Sequence, residues 1–129
     1  MESKEATQTR STQEIANLWT DMCRQGQNLE CIEALYSENI ESREMPGYPE
    51  ELVTGKENVW NKNKQWLENV EEFHNATVSD PVVAGNHFTT KMEFDVTFKD
   101  RGRQQMEEVA VFEVNNGKIV KEQFFYAME

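Results

Sequence analysis

Two glutamates lie among apolar residues near the end of the chain, and their carboxyl groups are the first candidates for proton-transfer chemistry. The stretch 106–114 alternates in a way that is typical of a strand, and Glu107 shares one face of it with valines. A turn at 115–117 leads into a second strand, 119–126, in which Glu122 shares a face with aromatic residues. Each strand therefore places a carboxyl group beside apolar side chains.

These two glutamates have two interpretations. If the strands pair across the short turn, Glu107 and Glu122 are neighbours, and two close carboxyl groups can share one proton so that one acts as an acid and the other as a base. Lys118 and Lys121 lie nearby in the sequence, and in the second interpretation they make both glutamates ordinary ions at the edge of the sheet. The sequence leaves both open.

The charge of the chain limits its partners. Its 129 residues carry 24 acidic and 13 basic side chains, a formal net charge of -11. Phosphate backbones and anionic lipids repel such a chain, so we expect no nucleic acid and no membrane as partner. No apolar run has the length of a membrane span, and the N-terminal segment lacks the apolar core of a signal peptide. The expected location is cytoplasmic.

The patterns predict one α+β domain at 11–129, preceded by a disordered polar tail at 1–10. Ser11 and Glu14 have the form of a capping box that starts the first helix, and Thr54 and Glu57 repeat it. The predicted elements are helices at 12–25, 28–36 and 55–70, and strands at 39–44, 73–79, 86–99, 106–114 and 119–126.

No cofactor and no metal ion are expected. The long strand 86–99 has one apolar face, and its polar face carries His87, Glu93 and Asp95. At about 3.3 Å per residue these three side chains span about 20 Å or more, so they cannot bind one ion. The chain also lacks a phosphate-binding loop and a dinucleotide-binding glycine motif.

Several segments resemble the SnoaL-like branch of the nuclear transport factor two-like superfamily, whose fold is cystatin-like. They are Leu35-Tyr36-Ser37-Glu38-Asn39, Glu44-x-Pro46-Gly47, Thr54-Gly55-Lys56-Glu57 and Phe112-x-Val114-x-x-Gly117-Lys118-Ile119. The resemblance covers the chain from about Thr12 onward. It implies three helices packed on a strongly curved, mostly antiparallel sheet that forms a cone. It also implies a pocket for a small apolar molecule on the concave side, and a homodimer through the convex sheet face.

The resemblance assigns roles to individual residues. Against ketosteroid isomerase, a relative by fold, Glu44 takes the place of the catalytic aspartate, and Trp19 and Val109 take the places of the two oxyanion-binding residues. A carboxylate enclosed by aromatic rings is poorly hydrated and takes up a proton more readily, so Glu44 is the expected base. Its alternative is a solvated ion beside Arg43. Tyr126 is either a donor to an oxyanion or a wall residue.

The same comparison predicts the walls of the pocket and the function. The wall residues are Trp19, Trp60, Asn63, Trp66, Met92, Phe94, Val109, Val111 and Phe124. Trp60 and Trp66 can equally be core residues. The expected function is a cofactor-free isomerase, cyclase or dehydratase with a carboxylate base. The alternative is a non-enzymatic module that binds a ligand or a second copy.

The predicted homodimer rests on apolar residues of the last two strands that would otherwise form an exposed patch. They are Ala110, Phe112, Val114, Ile119 and Phe125.

Overall fold

The computed structural model describes residues 9–127, so most of the predicted tail lies outside the described residues. The elements are α1 Thr12–Arg24, α2 Asn28–Leu35, β1 Tyr36–Arg43, β2 Leu52–Thr54, α3 Lys56–Asn69, β3 Val70–Val78, β4 Val82–Ala84, β5 His87–Phe98, β6 Gly102–Asn115 and β7 Lys118–Phe125. Within the described residues, no helix is long and apolar enough to cross a membrane.

The first helix begins as predicted, and the third begins differently. The Ser11 hydroxyl accepts from the Glu14 backbone N–H at 3.1 Å, and the Glu14 carboxylate accepts from the Ser11 backbone N–H at 2.8 Å, which completes a capping box. The second predicted capping box is wrong, because Thr54 is the last residue of β2 and the N-cap of α3 is Gly55, with a φ of 93°.

The strands form one sheet in the order β2-β1-β7-β6-β5-β3, and β4 pairs with the start of β5. The pairing of β1 with β7 is parallel, and the other pairs are antiparallel. Three helices packed on a mostly antiparallel sheet confirm the predicted fold class.

The helices cover one face of the sheet, which we call the inner face; the other is the outer face. Under α1 the core is aromatic, with the Trp19 ring centroid 4.7 Å from that of Phe112 and the Phe88 ring stacked on Phe112 at 4.5 Å. At the other end, Trp66 of α3 packs against Phe94 at 5.6 Å. These contacts confirm the apolar face predicted for the long strand.

Strand β6 faces the opposite way from the prediction. Phe112 lies opposite Phe88 and is completely buried, whereas Val109 is 40% exposed. The inner face of β6 is the even-numbered set, because these residues pair with the inner residues of β5. The expectation that Glu107, Val109 and Val111 face the concave side is therefore wrong.

The antiparallel pairing of β6 with β7 contains a register shift. Val114 pairs with Ile119 and Glu113 with Lys121, so Val120 is an extra residue that forms a β-bulge. The turn before it is the predicted tight hairpin, since Asn116 and Gly117 both have positive φ, 52° and 73°, as a type I′ turn requires. After the bulge, the even-numbered residues of β7 face inward.

The patch predicted to form a dimer is mostly core. Four of its members are buried under the helices, and this part of the prediction is wrong: Ala110, Phe112, Val114 and Ile119. The fifth, Phe125, is 44% exposed on the outer face, near Val109. The homodimer through the convex sheet face stays a prediction.

Phe112→Ala tests the face assignment of β6. The ring is 0% exposed between Trp19 and Phe88, so we expect its removal to lower the free energy of unfolding by about 3–5 kcal/mol. The matched control is Val109→Ala on the outer face of the same strand, with an expected loss below about 1 kcal/mol. Chemical denaturation measures both. Equal losses, or a larger loss at Val109, would contradict the assignment.

Candidate functional site

A buried carboxylate organises the polar part of the inner face. Glu122 is 3% exposed, and its two oxygens accept hydrogen bonds from the hydroxyls of Tyr36 at 2.5 Å and Ser42 at 2.7 Å. Strand β1 supplies both hydroxyls, because its parallel pairing with β7 places Ser42 opposite Glu122. The indole N–H of Trp19 donates to the Tyr36 hydroxyl at 3.4 Å. We call these four side chains the Glu122 network.

Two members of the Glu122 network, the Glu122 carboxyl group and the Tyr36 hydroxyl, have raised pKa values. Burial raises the pKa of Glu122, and the hydrogen bonds from Tyr36 and Ser42 act in the opposite direction because they stabilise the charged form. Burial, followed by the charge of Glu122, also raises the pKa of Tyr36 well above its ordinary value. Tyr36 therefore remains a hydrogen-bond donor at any ordinary pH.

The carboxylate predicted as the base lies at the edge of the inner face. Glu44 follows β1; it accepts from the Lys62 ammonium of α3 at 2.7 Å and from the Tyr126 hydroxyl at 2.6 Å. The Lys62 and Glu44 side chains are 23% and 14% exposed. The alternative in which Glu44 is a solvated ion beside Arg43 is wrong, because Glu44 is largely enclosed and paired with Lys62.

Tyr126 donates to Glu44 and keeps its own proton. Burial raises the pKa of the Tyr126 hydroxyl, and the hydrogen bond to Glu44 raises it further. Its ring also packs edge-on against Tyr48, with the centroids 5.7 Å apart. Tyr126 thus orients the Glu44 carboxylate and packs against Tyr48, and its role as an oxyanion donor or a pocket wall stays a prediction.

A third carboxyl group, Glu108, lies on the inner face opposite Met92 of β5. It is partly buried, and no hydrogen bond or ion pair reaches its carboxyl group from residues 9–127. Burial raises its pKa to about 7, the charges of Glu44 and Glu122 add to this, and the Lys62 ammonium opposes it. A carboxyl group that titrates near neutrality can give or take a proton at physiological pH.

Comparison with known proteins identifies the family of this chain. The SnoaL-like domain family matches residues 10–126. The chain belongs to the SnoaL-like family. No protein of curated function matches it in a sequence comparison.

Solved structures of other proteins share the SnoaL-like fold. A Mesorhizobium loti protein, named as a SnoaL-like polyketide cyclase and in brackets as a carbohydrate phosphatase, is 37% identical, with 91% of this chain and 100% of that chain covered and a TM-score of 0.85. A Xanthomonas campestris protein of unknown function with a cystatin-like fold is 18% identical over 92% of each chain, with a TM-score of 0.76. An LEH-like epoxide hydrolase of M. tuberculosis is 14% identical over 90% of this chain and 82% of that chain, with a TM-score of 0.68. The last two show the fold alone.

The carboxylate pair predicted for the hairpin does not exist in this SnoaL-like chain. Glu122 lies opposite Phe112, whereas Glu107 lies opposite Glu93 on the outer face, with its carboxylate 3.3 Å from the Lys91 ammonium. The two glutamates are on different faces because β6 is turned relative to the prediction. Glu107 is therefore the surface ion of the second interpretation, although its partner is Lys91.

The predicted wall residues on the sheet divide between its two faces. Met92, Phe94 and Phe124 lie on the inner face, where their contact with a ligand stays a prediction. Val109 and Val111 lie on the outer face and cannot line a pocket beneath the helices.

The predicted wall residues on the helices make internal contacts, three of them through polar groups and Trp66 through its ring. The indole N–H of Trp60 donates to Glu33 of α2 at 3.0 Å, and the Asn63 amide donates to the Val59 carbonyl at 2.8 Å. Trp66 packs against phenylalanines of β3 and β5, and the Trp19 N–H donates to Tyr36. These contacts favour packing roles for all four.

A shallow depression of about 260 Å³ lies on the outer face. Its lining residues are Glu41, Arg43, His87, Val111, Glu113, Lys121, Glu122, Gln123 and Phe125. The predicted pocket on the inner side stays a prediction. Among the described residues, no group of three or more His, Cys, Asp or Glu side chains is arranged to hold a metal ion.

Sequence reasoning missed Glu108, Lys62, Tyr36 and Ser42. The signal for Glu108 was present, because it has the same parity as Phe112 on a strand where aromatic residues mark the core. Lys62 carried no such signal: it meets Glu44 from 18 positions away in the sequence, through the packing of α3 on β1.

Tyr36→Phe tests the Glu122 network. The substitution removes one of the two donors to a buried carboxylate, so we expect a loss of about 1.5–3 kcal/mol in the free energy of unfolding. Tyr48→Phe removes the hydroxyl of an exposed tyrosine and is the matched control, with little expected change. A Tyr36→Phe protein as stable as the control would show that the hydroxyl contributes no stabilising bond.

Glu108→Gln tests the environment of Glu108 through the pH dependence of stability. Because the folded state holds this proton until a pKa of about 7, against an ordinary value of 4.5, stability falls as pH rises between those values, by up to about 3 kcal/mol. The variant should lose that part of the slope, and Glu107→Gln on the outer face should retain it. An unchanged slope in Glu108→Gln would contradict the assignment.

Proposed function

We propose that this SnoaL-like protein catalyses proton transfer on a small uncharged carbonyl compound without a cofactor, as an isomerase, cyclase or dehydratase does. Glu44 is the general base and Glu108 the general acid. The observation that carries the proposal is the unpartnered Glu108 carboxyl group, with its pKa near neutrality, beside a Glu44 carboxylate that two donors hold in place.

The two carboxyl groups suit opposite tasks. The Glu44 oxygens accept hydrogen bonds from the Lys62 ammonium and the Tyr126 hydroxyl, and these two bonds hold the carboxylate in one orientation, as a positioned base requires. Glu108 has no donor among the described residues, and burial near other negative charges favours its protonated form. In the proposed reaction, Glu44 removes a proton from the carbon next to the carbonyl group, while Glu108 gives its proton to the carbonyl oxygen. The C–H bond breaks, the carbon–carbon double bond forms, and the product is an enol.

The Lys62 ammonium interacts with both carboxyl groups during these proton transfers. Its charge acts on Glu108 as well as on Glu44. When Glu44 takes up a proton and Glu108 loses one, the negative charge moves from one neighbour of the ammonium to the other. The total charge of the site stays constant, which suits a region shielded from water.

The charge of the inner face selects against anionic substrates. Glu44, Glu108 and Glu122 share the Lys62 ammonium as a neighbour of opposite charge, and the chain as a whole has a net charge of -11. A phosphate ester would bring further negative charge into this region, so we favour carbonyl chemistry, as in the name polyketide cyclase, over the phosphatase chemistry that the Mesorhizobium loti protein's name also contains.

Deuterium exchange tests the proposal without knowledge of the natural substrate. Small cyclic and aromatic ketones, acetophenone among them, are incubated with the protein in deuterium oxide, and proton NMR follows the loss of their α-protons. We expect Glu44→Gln and Glu108→Gln to lower the exchange rate about a hundredfold or more, the usual contribution of a general acid or base. Because Glu108 must be protonated, the wild-type rate should fall as pH rises through about 7.

The matched control is Glu107→Gln, which removes a neighbouring carboxylate from the outer face and should leave the rate unchanged. Exchange that survives in Glu44→Gln would overturn the role of the base. Exchange that survives in Glu108→Gln with the same pH profile would overturn the role of the acid.

A non-enzymatic interaction module is the second candidate. The packing of Trp19, Phe88 and Phe112 favours it, because these rings fill the space beneath α1 with side chains of the protein itself. This candidate predicts no exchange above the solvent rate and no ketone binding by NMR titration, in the wild type and in Glu44→Gln alike.

A further inference from the structure

One buried hydroxyl group on the inner face has no partner. Thr90 of β5 is 3% exposed, and its Oγ1 makes no hydrogen bond within the part of the chain that the structure describes. Buried hydroxyls elsewhere are bonded, such as Thr20 to the Ala16 carbonyl at 2.8 Å and Ser42 to Glu122 at 2.7 Å. A buried donor without a partner costs about 1–3 kcal/mol, and valine would fill the same space without that cost.

Thr90 lies beside the carboxyl group that also lacks a partner. Its opposite residue on β6 is Ala110, and Glu108 lies two residues along the same strand, opposite Met92. Thr90 and Glu108 are therefore diagonal neighbours on one face of the sheet, a relation in which Cα atoms are about 7–8 Å apart. The residue opposite Thr90 has only a methyl side chain, which is too small to cover the Thr90 hydroxyl as a larger residue would.

We propose that Thr90 and Glu108 bind one oxygen atom of the substrate between them, and that the Thr90 hydroxyl is the second donor to the carbonyl oxygen that Glu108 protonates. This assignment rests on the proposed function and extends it by naming where the reacting oxygen lies. It also names the ligand class, a ketone or the enol formed from it.

The chemistry of a carbonyl group fits two donors. Its oxygen has two lone pairs, so it can accept from a hydroxyl and a carboxylic acid at the same time. Thr90 gives up no proton and only donates a hydrogen bond. That bond strengthens as negative charge develops on the oxygen during removal of the α-proton, so it lowers the barrier more than it tightens ground-state binding.

The test compares two neighbouring threonines on opposite faces of β5. Thr90→Val removes the unpartnered hydroxyl, and Thr90→Ser keeps it. Thr89→Val is the matched control, because the Thr89 hydroxyl is already bonded to the Ala110 carbonyl at 2.9 Å. The measured quantities are the free energy of unfolding without ligand, the Kd of acetophenone by NMR titration, and the infrared carbonyl stretch of bound acetophenone.

We expect Thr90→Val to be as stable as the wild type or more stable, and to bind acetophenone about five- to tenfold more weakly, the effect of one lost neutral hydrogen bond. The carbonyl stretch should move to higher frequency in Thr90→Val and stay in place in Thr90→Ser. Thr89→Val should lose stability and keep the wild-type Kd.

Acetophenone that binds wild type and Thr90→Val equally, or does not bind wild type at all, overturns the assignment. Measuring binding and proton exchange together distinguishes failure of the Thr90 assignment from failure of the proposed function. If Thr90→Val binds acetophenone more weakly and the wild type shows no proton exchange, the oxygen site at Thr90 is supported and the proposed catalysis is contradicted. If Thr90→Val exchanges α-protons at the wild-type rate, the proposed catalysis is supported and the role of Thr90 in binding the oxygen is contradicted.

Discussion

The antiparallel ladder of β5, β6 and β7 decides which side chains this protein brings together. Because side chains alternate along a strand, a change of one residue in phase exchanges the two faces of β6 completely. The pairing of Phe112 with Phe88 on one side and with Glu122 on the other fixes that phase. The aromatic core and the candidate site therefore depend on one constraint, since the register that buries Phe112 also turns Glu108 inward and Glu107 outward.

The inner face carries the carboxyl groups of Glu44, Glu108 and Glu122, and these three groups differ in the hydrogen bonds that they accept. Glu122 receives two hydroxyl hydrogen bonds and Glu44 receives an ammonium and a hydroxyl, so both have donors that offset part of the loss of water. Within residues 9–127 Glu108 has no such donor, and burial raises its pKa to about 7. An unpaired buried carboxyl group is destabilising, and a fold optimised only for stability would replace it. Its position beside a held carboxylate is the arrangement that acid–base chemistry needs.

The sequence was sufficient for the three helices, the five longer strands and the fold class, but not for the short strands β2 and β4 or for the phase of β6. Helix periodicity, the Ser11 cap and the Asn116-Gly117 turn are local signals, and they predicted their elements correctly. Strand β6 has valines on one face and Ala110, Phe112 and Val114 on the other, so hydrophobicity did not distinguish inside from outside. The adjacent pair Glu107 and Glu108 then allowed the wrong carboxylate to be chosen. The contacts of Glu44 with Lys62 and of Glu122 with Tyr36 join distant segments, and no local pattern encodes them.

An inward-facing Glu108 carboxyl group exchanges its proton near neutral pH. Carbon NMR of the glutamate side-chain carboxyl groups, with Glu108 assigned by comparison with Glu108→Gln, measures this directly as a titration. We expect the Glu108 signal to titrate at a pH of about 7. A Glu108 signal that titrates near the ordinary value of 4.5 would mean that the group is solvated, and it would contradict both the face assignment of β6 and the role of Glu108 as an acid.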